Sequence, residues 1–350
     1  MAIKGRGTDH NPHNRFAPLV SVADPSAELG EAVELRHPET QVRIEQARSL
    51  ISYNDSPDIV FDRSINPYRG CEHGCIYCFA RPTHAYLDLS PGLDFETRLV
   101  AKTNAAAILR RELAKPGYRC APITIGPNTD CYQPIEKQYR LTRQVLEVLW
   151  EHRHPCAILT KSQAICDDLP LLAQMAREKL VKVNFTVTTL DDDLKRKLEP
   201  RAASGRARIN TMAQLADAGI PVGVLASPMI PALNDSELET ILAEAKHAGA
   251  RSASYILLRL PLEVSELFER WLREHYPLRA EHVMSLIRQS RGGRNYDADF
   301  RTRMRGTGVF AELLAARFRR AVRSLHLNEA ETTLRTDLFR VPSAQLSLDW

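Results

Sequence analysis

The stretch "RGCEHGCIYCFARP" (residues 69–82) brings three of the chain's seven cysteines within eight positions. Their spacing is CxxxCxxC, at Cys71, Cys75 and Cys78. A glycine lies between the first two, and an aromatic residue, Tyr77, precedes the last. Free core cysteines seldom gather in a glycine-containing loop, so the spacing indicates a metal-binding or redox function.

Three kinds of chemistry fit such a group of thiols. A tetrahedral zinc site needs four ligands, and the usual second cysteine pair is missing, although His73 or His84 could complete the set. A redox pair needs CxxC alone. Three thiolates on one loop can instead hold three irons of a [4Fe–4S] cluster and leave the fourth iron open to another ligand. We favour the cluster, and a zinc site stays as an alternative.

Composition places the chain among ordinary soluble proteins. Its 350 residues are 44% apolar and 26% charged, with a formal net charge of +4. No apolar run is long enough to cross a bilayer, and the N-terminus lacks the pattern of a signal peptide, so a cytoplasmic protein without a membrane partner is predicted. In a reducing compartment, clustered thiols are more often metal ligands than disulfides.

Short apolar runs alternate with amphipathic helical segments from about residue 60 onward, as in βα units. About six units predict an α/β fold, an open, partial TIM-type (β/α)6 barrel, with a doubly wound sheet as the second choice. Ligands in either fold bind at the carboxyl ends of the strands. The predicted strands are residues 123–126, 157–160, 181–187, 222–225 and 253–258, with a first strand just before Cys71.

Four regions are predicted along the chain. Residues 1–56 are an N-terminal extension outside the core, flexible over about the first 30 residues and helical near residues 39–51. Residues 57–262 form the core, residues 263–328 a basic helical segment, and residues 329–350 a flexible tail.

The motif "CEHGCIYC" (residues 71–78) resembles the signature of the radical S-adenosylmethionine (radical SAM) superfamily. The resemblance implies a [4Fe–4S] cluster on Cys71, Cys75 and Cys78, with the amino and carboxylate groups of SAM on the open iron. One electron from a donor of the flavodoxin or ferredoxin type then cleaves SAM, and a 5′-deoxyadenosyl radical abstracts hydrogen from a substrate. Tyr77 is implied to pack against the adenine.

Polar residues follow the second and third predicted strands, in "TDCYQPIE" (residues 129–136) and "TKS" (residues 160–162). Both motifs resemble the spore photoproduct lyase-like group of radical SAM proteins. In that group a hydroxyl residue and a lysine at these places hold the SAM carboxylate, which implies the same for Thr129 and Lys161. Arg201 and Arg208, after the fourth strand, could reach the carboxylate or the ribose, or could be surface charges.

The hydrogen-donating thiol of that group has no counterpart at its usual place. The corresponding stretch is "IGPN" (residues 125–128), without a cysteine. Cys131 lies two positions beyond Thr129 and is the candidate donor from the same loop, with an inert, half-buried thiol as the alternative. Reversal of a thymine dimer is therefore less well supported than radical generation.

Positive charge is concentrated near the C-terminus. Residues 288–323 contain ten arginines and three acidic residues, although the whole chain carries only +4. Aromatic residues and glycines interleave with these arginines, as in loops that bind nucleic-acid phosphates. We predict a nucleic-acid-binding surface that includes Arg291, Arg294, Arg301, Arg303 and Arg305; a solvated basic face is the alternative.

The chain ends in "QLSLDW" (residues 345–350). This resembles the short peptides by which bacterial repair proteins bind the sliding clamp, so Gln345, Leu346 and Leu348 are predicted clamp anchors. Together the motifs predict a radical SAM enzyme acting on DNA, in a repair-related reaction. The alternatives are a radical SAM enzyme that modifies a protein or small molecule, and a metal-containing nucleic-acid-binding protein without catalysis.

Overall fold

The computed structural model describes residues 3, 5–17, 39–330 and 332–342. The strands of its main sheet are β2 (Ile51–Tyr53), β3 (Arg63–Ile65), β6 (Ile123–Ile125), β7 (Cys156–Thr160), β8 (Val181–Val187), β9 (Val222–Met229) and β10 (Ser252–Leu257). Their order is β10-β9-β8-β7-β6-β3-β2. Six are parallel, and β2 runs antiparallel to β3 at one edge. The predicted α/β fold with an open, partial (β/α)6 barrel is confirmed.

Helices cover the outer face of this sheet. They are α1 (Asp94–Thr97), α2 (Ala105–Leu113), α3 (Glu136–Tyr139), α4 (Leu141–Glu151), α5 (Leu169–Arg177), α6 (Asp192–Leu198), α7 (Gly205–Asp217), α8 (Leu238–His247), α9 (Glu263–His275), α10 (Ala280–Gln289) and α11 (Gly308–Ser324). Alternate strand residues point to opposite faces. Ile158, Phe185 and Val224 are buried in the main apolar cluster beneath the helices. Leu159 and Asn184, on the opposite face, are partly exposed, so the inner face lines an open groove.

A small second sheet adjoins the cysteine loop. It consists of β1 (Gln41–Glu45), β5 (Arg98–Lys102) and β4 (Tyr68–Arg69), in the order β1-β5-β4. The helix predicted near residues 39–51 is therefore wrong, because this stretch forms β1 and begins β2. Val42 and Ile44 are β-branched and alternate with polar residues, and pairing with the buried strand β5 favours the strand.

The N-terminal region is not outside the core, contrary to prediction. The Arg6 guanidinium donates to the Glu96 carbonyl at 2.9 Å, and the Asn14 side chain donates to the Ala85 carbonyl at 3.1 Å. A Cβ on Gly7 would lie 1.8 Å from the carbonyl oxygen of Gly74, within the cysteine loop. Only a glycine fits at that position, so residues 5–17 are part of the wall of the site.

The C-terminal region is also integrated into the body. Arg317 of α11 forms an ion pair with Glu239 of α8 at 2.6 Å, and Leu314 is buried in the main cluster. Part of the predicted flexible tail packs as well, since the amides of Arg335 and Arg340 donate to backbone carbonyls of the body at 3.0 and 2.9 Å. The predicted clamp anchors, Gln345, Leu346 and Leu348, lie outside the described residues.

Candidate metal and cofactor site

The cysteine loop follows β4 and makes two tight turns. Gly70 and Gly74 have φ angles of +72° and +66°, which side chains rarely adopt. A Cβ on Gly70 would lie 2.6 Å from Leu99, and one on Gly74 would lie 2.7 Å from the Glu96 carboxylate. Both glycines are therefore required for a loop that presents three thiols from one short segment.

Backbone and amide hydrogen bonds fix the loop to three other parts of the chain. The Cys71 amide donates to the Phe95 carbonyl at 2.9 Å, and the Ile76 amide donates to the Leu198 carbonyl at 3.1 Å. The Gln133 side chain accepts from the Glu72 amide at 2.9 Å and donates to the Gly70 carbonyl at 3.1 Å. The loop is thus held in shape before any metal binds.

A buried ion pair supports the loop from below. Arg81 and Glu96 are both 0% exposed, and the guanidinium Nη2 lies 2.5 Å from Glu96 Oε1. Arg81 Nε also donates to the Cys75 carbonyl at 2.9 Å, and Glu96 accepts from the Gly7 amide at 2.9 Å. The sequence gives no signal for Glu96. Arg81 lies within the opening motif, but nothing there indicates that it is buried.

The three thiols are free and mutually close. Burial raises the pKa of Cys71, of Cys78 and of Cys75, the last to about 12, and the thiols also influence one another's pKa. Arg81 lowers the pKa of Cys78, and Lys161 lowers that of both Cys75 and Cys78. Metal ligation needs thiolates, so the charge of a bound metal would supply most of the compensation.

The donor set fits a cubane cluster. In the ranges that the structure describes, no three or more His, Cys, Asp or Glu side chains are grouped as ligands of a single ion. In a [4Fe–4S] cluster each thiolate binds a different iron, so Cys71, Cys75 and Cys78 need not converge on one point. These three residues would hold such a cluster.

The two histidines considered for a zinc site do not join the cysteines as ligands. His84 Nε2 lies 2.9 Å from the Arg98 carbonyl, and the ring packs edge-on against Phe95. His73 is buried, with Nδ1 3.4 Å from an Asp130 carboxylate oxygen. The mononuclear zinc alternative therefore lacks its fourth ligand among these histidines.

Asp130 connects the loops after the second and third parallel strands. Its carboxylate accepts from the Thr160 hydroxyl at 2.8 Å and from the Lys161 amide at 2.7 Å. The Thr129 hydroxyl, 4% exposed as a residue, donates to the Tyr68 carbonyl at 2.9 Å. The predicted SAM ligands Thr129 and Lys161 thus occupy neighbouring loops beside the cysteines. Asp130 is the residue that brings these loops together.

Tyr77 is buried with its hydroxyl on a second polar group. It donates to Glu199 and lies 3.0 Å from the Thr188 hydroxyl. Burial alone would raise the pKa of Glu199, but Arg208 and then Lys161 outweigh it, and the pKa falls to about 2. Glu199 is therefore a permanent anion beside the cysteine loop, and sequence reasoning did not identify it.

Arg208 does not reach toward a ligand, contrary to prediction. It is 0% exposed, and its guanidinium pairs with Glu199 and donates to the Ala203 and Thr186 carbonyls. These partners use its donors, because a guanidinium buried without them would be costly. Arg201 remains 37% exposed in its side chain and donates to Glu72 of the cysteine loop at 3.0 Å.

Cys131 is wrongly predicted as a candidate hydrogen donor. It is 0% exposed and belongs to the main apolar cluster on the outer face of the sheet. A Cβ on Gly126 would lie 3.0 Å from its sulfur, so the thiol packs beneath the loop rather than facing the groove. The turn after Thr129 rotates this side chain into the core.

Replacing Cys131 with alanine is therefore expected to leave SAM cleavage within about twofold of the parent protein. The change removes one buried sulfur and should lower the free energy of unfolding by about 1 kcal/mol. Counting 5′-deoxyadenosine per turnover and recording urea unfolding check both values. Loss of product with unchanged stability would restore a catalytic role to this thiol.

The five arginines predicted to bind nucleic acid divide into three groups. Arg291 is 1% exposed and donates to four backbone carbonyls, so its assignment as a phosphate contact is wrong. Arg303 forms an ion pair with Asp58. The exposed members are Arg294, Arg301 and Arg305.

An open sheet of six parallel strands with a three-thiol loop after its first strand defines a cluster-binding enzyme that works at the carboxyl ends of the strands. The sequence model of the radical SAM superfamily matches residues 65–245. The chain belongs to the radical SAM superfamily and is a radical SAM enzyme, and the family implies a [4Fe–4S] cluster and SAM as its cofactors. No helix within the described ranges is long and apolar enough to span a membrane.

Proteins from distant organisms are similar to this chain. An uncharacterized protein of Mycobacterium tuberculosis is 37% identical over 231 residues, 65% of this chain and 68% of the relative. One from Methanocaldococcus jannaschii is 30% identical over 213 residues, 61% and 76% of the two chains. Among solved structures, a spore photoproduct lyase mutant with bound AdoMet and dinucleoside spore photoproduct superposes with a TM-score of 0.55 at 15% identity, covering 81% of this chain and 79% of that one. This likeness shows a shared fold.

Proposed function

We propose that this radical SAM enzyme abstracts hydrogen from a nucleic acid, in a reaction related to DNA repair. The observation that carries the proposal is an arginine and aromatic surface beside the cysteine loop. Phe79, next to Cys78, is 44% exposed, and the Arg259 guanidinium lies 5.6 Å from its ring centroid. Arg259 Nη2 also lies 3.3 Å from the Tyr296 hydroxyl. Exposed rings with arginines are the usual means of stacking and neutralising single-stranded nucleic acid.

Exposed charge continues from this surface. Phe300 is 46% exposed on the same loop as the exposed arginines Arg294, Arg301 and Arg305. Helix α11 follows that loop and exposes three further arginines, Arg319, Arg320 and Arg323. One arginine in solvent means little, but a set beside a reactive centre supports a phosphate-bearing substrate.

The cofactors, when bound, supply a 5′-deoxyadenosyl radical, with the required electron coming from a flavodoxin- or ferredoxin-type donor. The chain's own residues position them. Thr129 and Lys161 offer a hydroxyl and an ammonium where a methionyl carboxylate would bind, and Tyr77 offers a ring for the adenine. Glu199 holds the Tyr77 hydroxyl, which fixes the orientation of that ring.

The solved neighbour with a bound dinucleoside spore photoproduct supports a nucleic-acid substrate for this fold. The buried Cys131 argues against the same final step, because no thiol stands in that loop to return a hydrogen atom. We therefore propose abstraction from a nucleotide with a different radical-quenching step, rather than reversal of a thymine dimer by this loop.

The test is anaerobic turnover of the reconstituted protein with damaged and undamaged single-stranded DNA carrying deuterium. Deuterium should appear in 5′-deoxyadenosine only with a productive substrate. Arg294→Ala should weaken DNA binding and flatten the salt dependence by about 0.7 per lost phosphate contact. Arg110→Ala, at an exposed arginine on α2 paired with Glu151, is the matched control and should change neither. Deuterium transfer from peptides alone would support the alternative substrate class.

A further inference from the structure

The two edges of the open sheet are joined by a single described ion pair between distant segments. Asp58 lies between β2 and β3 at one edge, and Arg303 lies in the loop that precedes α11. This loop, residues 290–307, is called the arginine loop below. It runs beside β10 at the opposite edge, where the Leu257 amide donates to the Met304 carbonyl at 2.9 Å. The pair thus crosses the open side of the barrel.

Its geometry is that of a specific contact. Arg303 Nε and Nη2 lie 2.5 and 2.6 Å from the two oxygens of Asp58, a bidentate arrangement. The side chains are 13% and 11% exposed, so water surrounds neither partner fully. Hydrogen bonding to Arg303 lowers the pKa of Asp58 despite the opposing effect of burial, and the charge of Arg259 adds to the lowering.

The backbone of the arginine loop is anchored independently of this pair. Arg291 places its guanidinium on the Leu257 and Leu258 carbonyls of the sheet edge, at 3.1 and 2.8 Å. It also donates to the Thr302 and Arg303 carbonyls, at 3.0 and 2.9 Å. Because these bonds hold the loop in place, the Arg303 side chain can change its partner without the loop unfolding.

The surroundings of the pair match a nucleotide better than a protein chain. The Arg303 guanidinium lies 4.5 Å from the exposed Phe300 ring, and Asp58 lies within the electrostatic reach of Arg259. Arg259 in turn lies over Phe79, beside the cysteine loop. An arginine fork binds phosphate oxygens in the same bidentate manner as a carboxylate.

We infer that Arg303 is a masked phosphate-binding residue, held by Asp58 across the open side of the barrel until a phosphodiester of the substrate displaces the carboxylate. This rests on the proposed nucleic-acid function. The exchange breaks one ion pair and forms another, with no covalent change. The contact with Asp58 therefore opposes binding at the place where a strand would approach the cluster.

The test measures binding of a short fluorescent oligothymidylate to the anaerobic holoenzyme over a range of salt concentrations. Asp58→Asn frees Arg303 and should tighten binding roughly tenfold at low salt, the effect of one charge-assisted contact. The slope of log affinity against log salt should steepen by about 0.7, one further phosphate. In an Arg303→Ala background the same substitution should add less than twofold.

Asp299→Asn is the matched control for removing one negative charge. Asp299 pairs with Arg301, which is already 87% exposed, so its release should change affinity less than twofold. Equal gains from both substitutions, or a gain that survives without Arg303, would overturn the inference. In the parent protein, hydrogen exchange at residues 54–62 should accelerate on oligonucleotide binding, and slower exchange there would also overturn it.

The outcomes separate this inference from the function on which it rests. A parent protein that binds no nucleic acid at low salt refutes the proposed function itself. A parent protein that binds, while Asp58→Asn brings no gain, refutes only the masking of Arg303.

Discussion

Replacing Cys71, Cys75 or Cys78 with serine is expected to reduce the iron content of the anaerobically purified protein to less than a tenth and to abolish 5′-deoxyadenosine formation. A serine hydroxyl does not deprotonate readily, and with two thiolates left a cubane loses one corner to solvent. The loop is already ordered by Gln133 and the Phe95 and Leu198 carbonyls. The fold should therefore survive the loss of the cluster.

Iron and sulfide analysis, visible absorption and circular dichroism measure these effects separately. Cys166→Ser is the control, since Cys166 is a partly exposed thiol whose sulfur contacts Gln214 rather than the cysteine loop. It should retain full iron content. Normal iron in a Cys75→Ser protein would contradict the assignment of the ligands.

The second large effect is expected at the buried pair of Arg81 and Glu96. Glu96→Gln keeps the shape of the side chain but leaves the Arg81 guanidinium without its counter-charge at 0% exposure. Breaking a buried pair on one side costs about 3–5 kcal/mol of unfolding free energy. Since Arg81 also holds the Cys75 carbonyl, cluster retention should fall with stability.

Urea unfolding of the parent and variant proteins measures the loss, with the midpoint as the primary value. Glu151→Gln is the comparison, because its pair with Arg110 is 45% and 48% exposed and should contribute less than about 1 kcal/mol. A Glu96→Gln midpoint equal to that of the parent protein would show that the pair does not support the fold.

The fold and the three thiols were predictable because local pattern carries them. Apolar runs such as Val181–Val187 are long enough to be recognised as strands, and the cysteine spacing lies within eight residues. The region of residues 39–51 was predicted wrongly, because pairing with β5 outweighs a helical pattern in an edge segment. The N-terminal residues look polar and unstructured, and only the acceptors on Glu96 show why they are ordered.

The polar parts of the site were predictable only in part, because their roles depend on partners far along the chain. Thr129 and Lys161 could be proposed from short motifs, but the ties made by Asp130 are visible only in three dimensions. Arg208 and Arg291 look like surface charges in the sequence. Their burial follows from Glu199 and from a set of free carbonyls at the sheet edge, and no local spacing indicates either partner.

The contact between Gly7 and the cysteine loop has a consequence for production of the protein. The first residues to leave the ribosome become the lid of the cofactor pocket, whose far wall includes Leu198. The pocket is complete only after synthesis has passed that residue, so iron delivery has to act on a largely finished chain. A fusion partner ahead of residue 5 would begin beside this lid, and purification handles at that end should lower cluster occupancy.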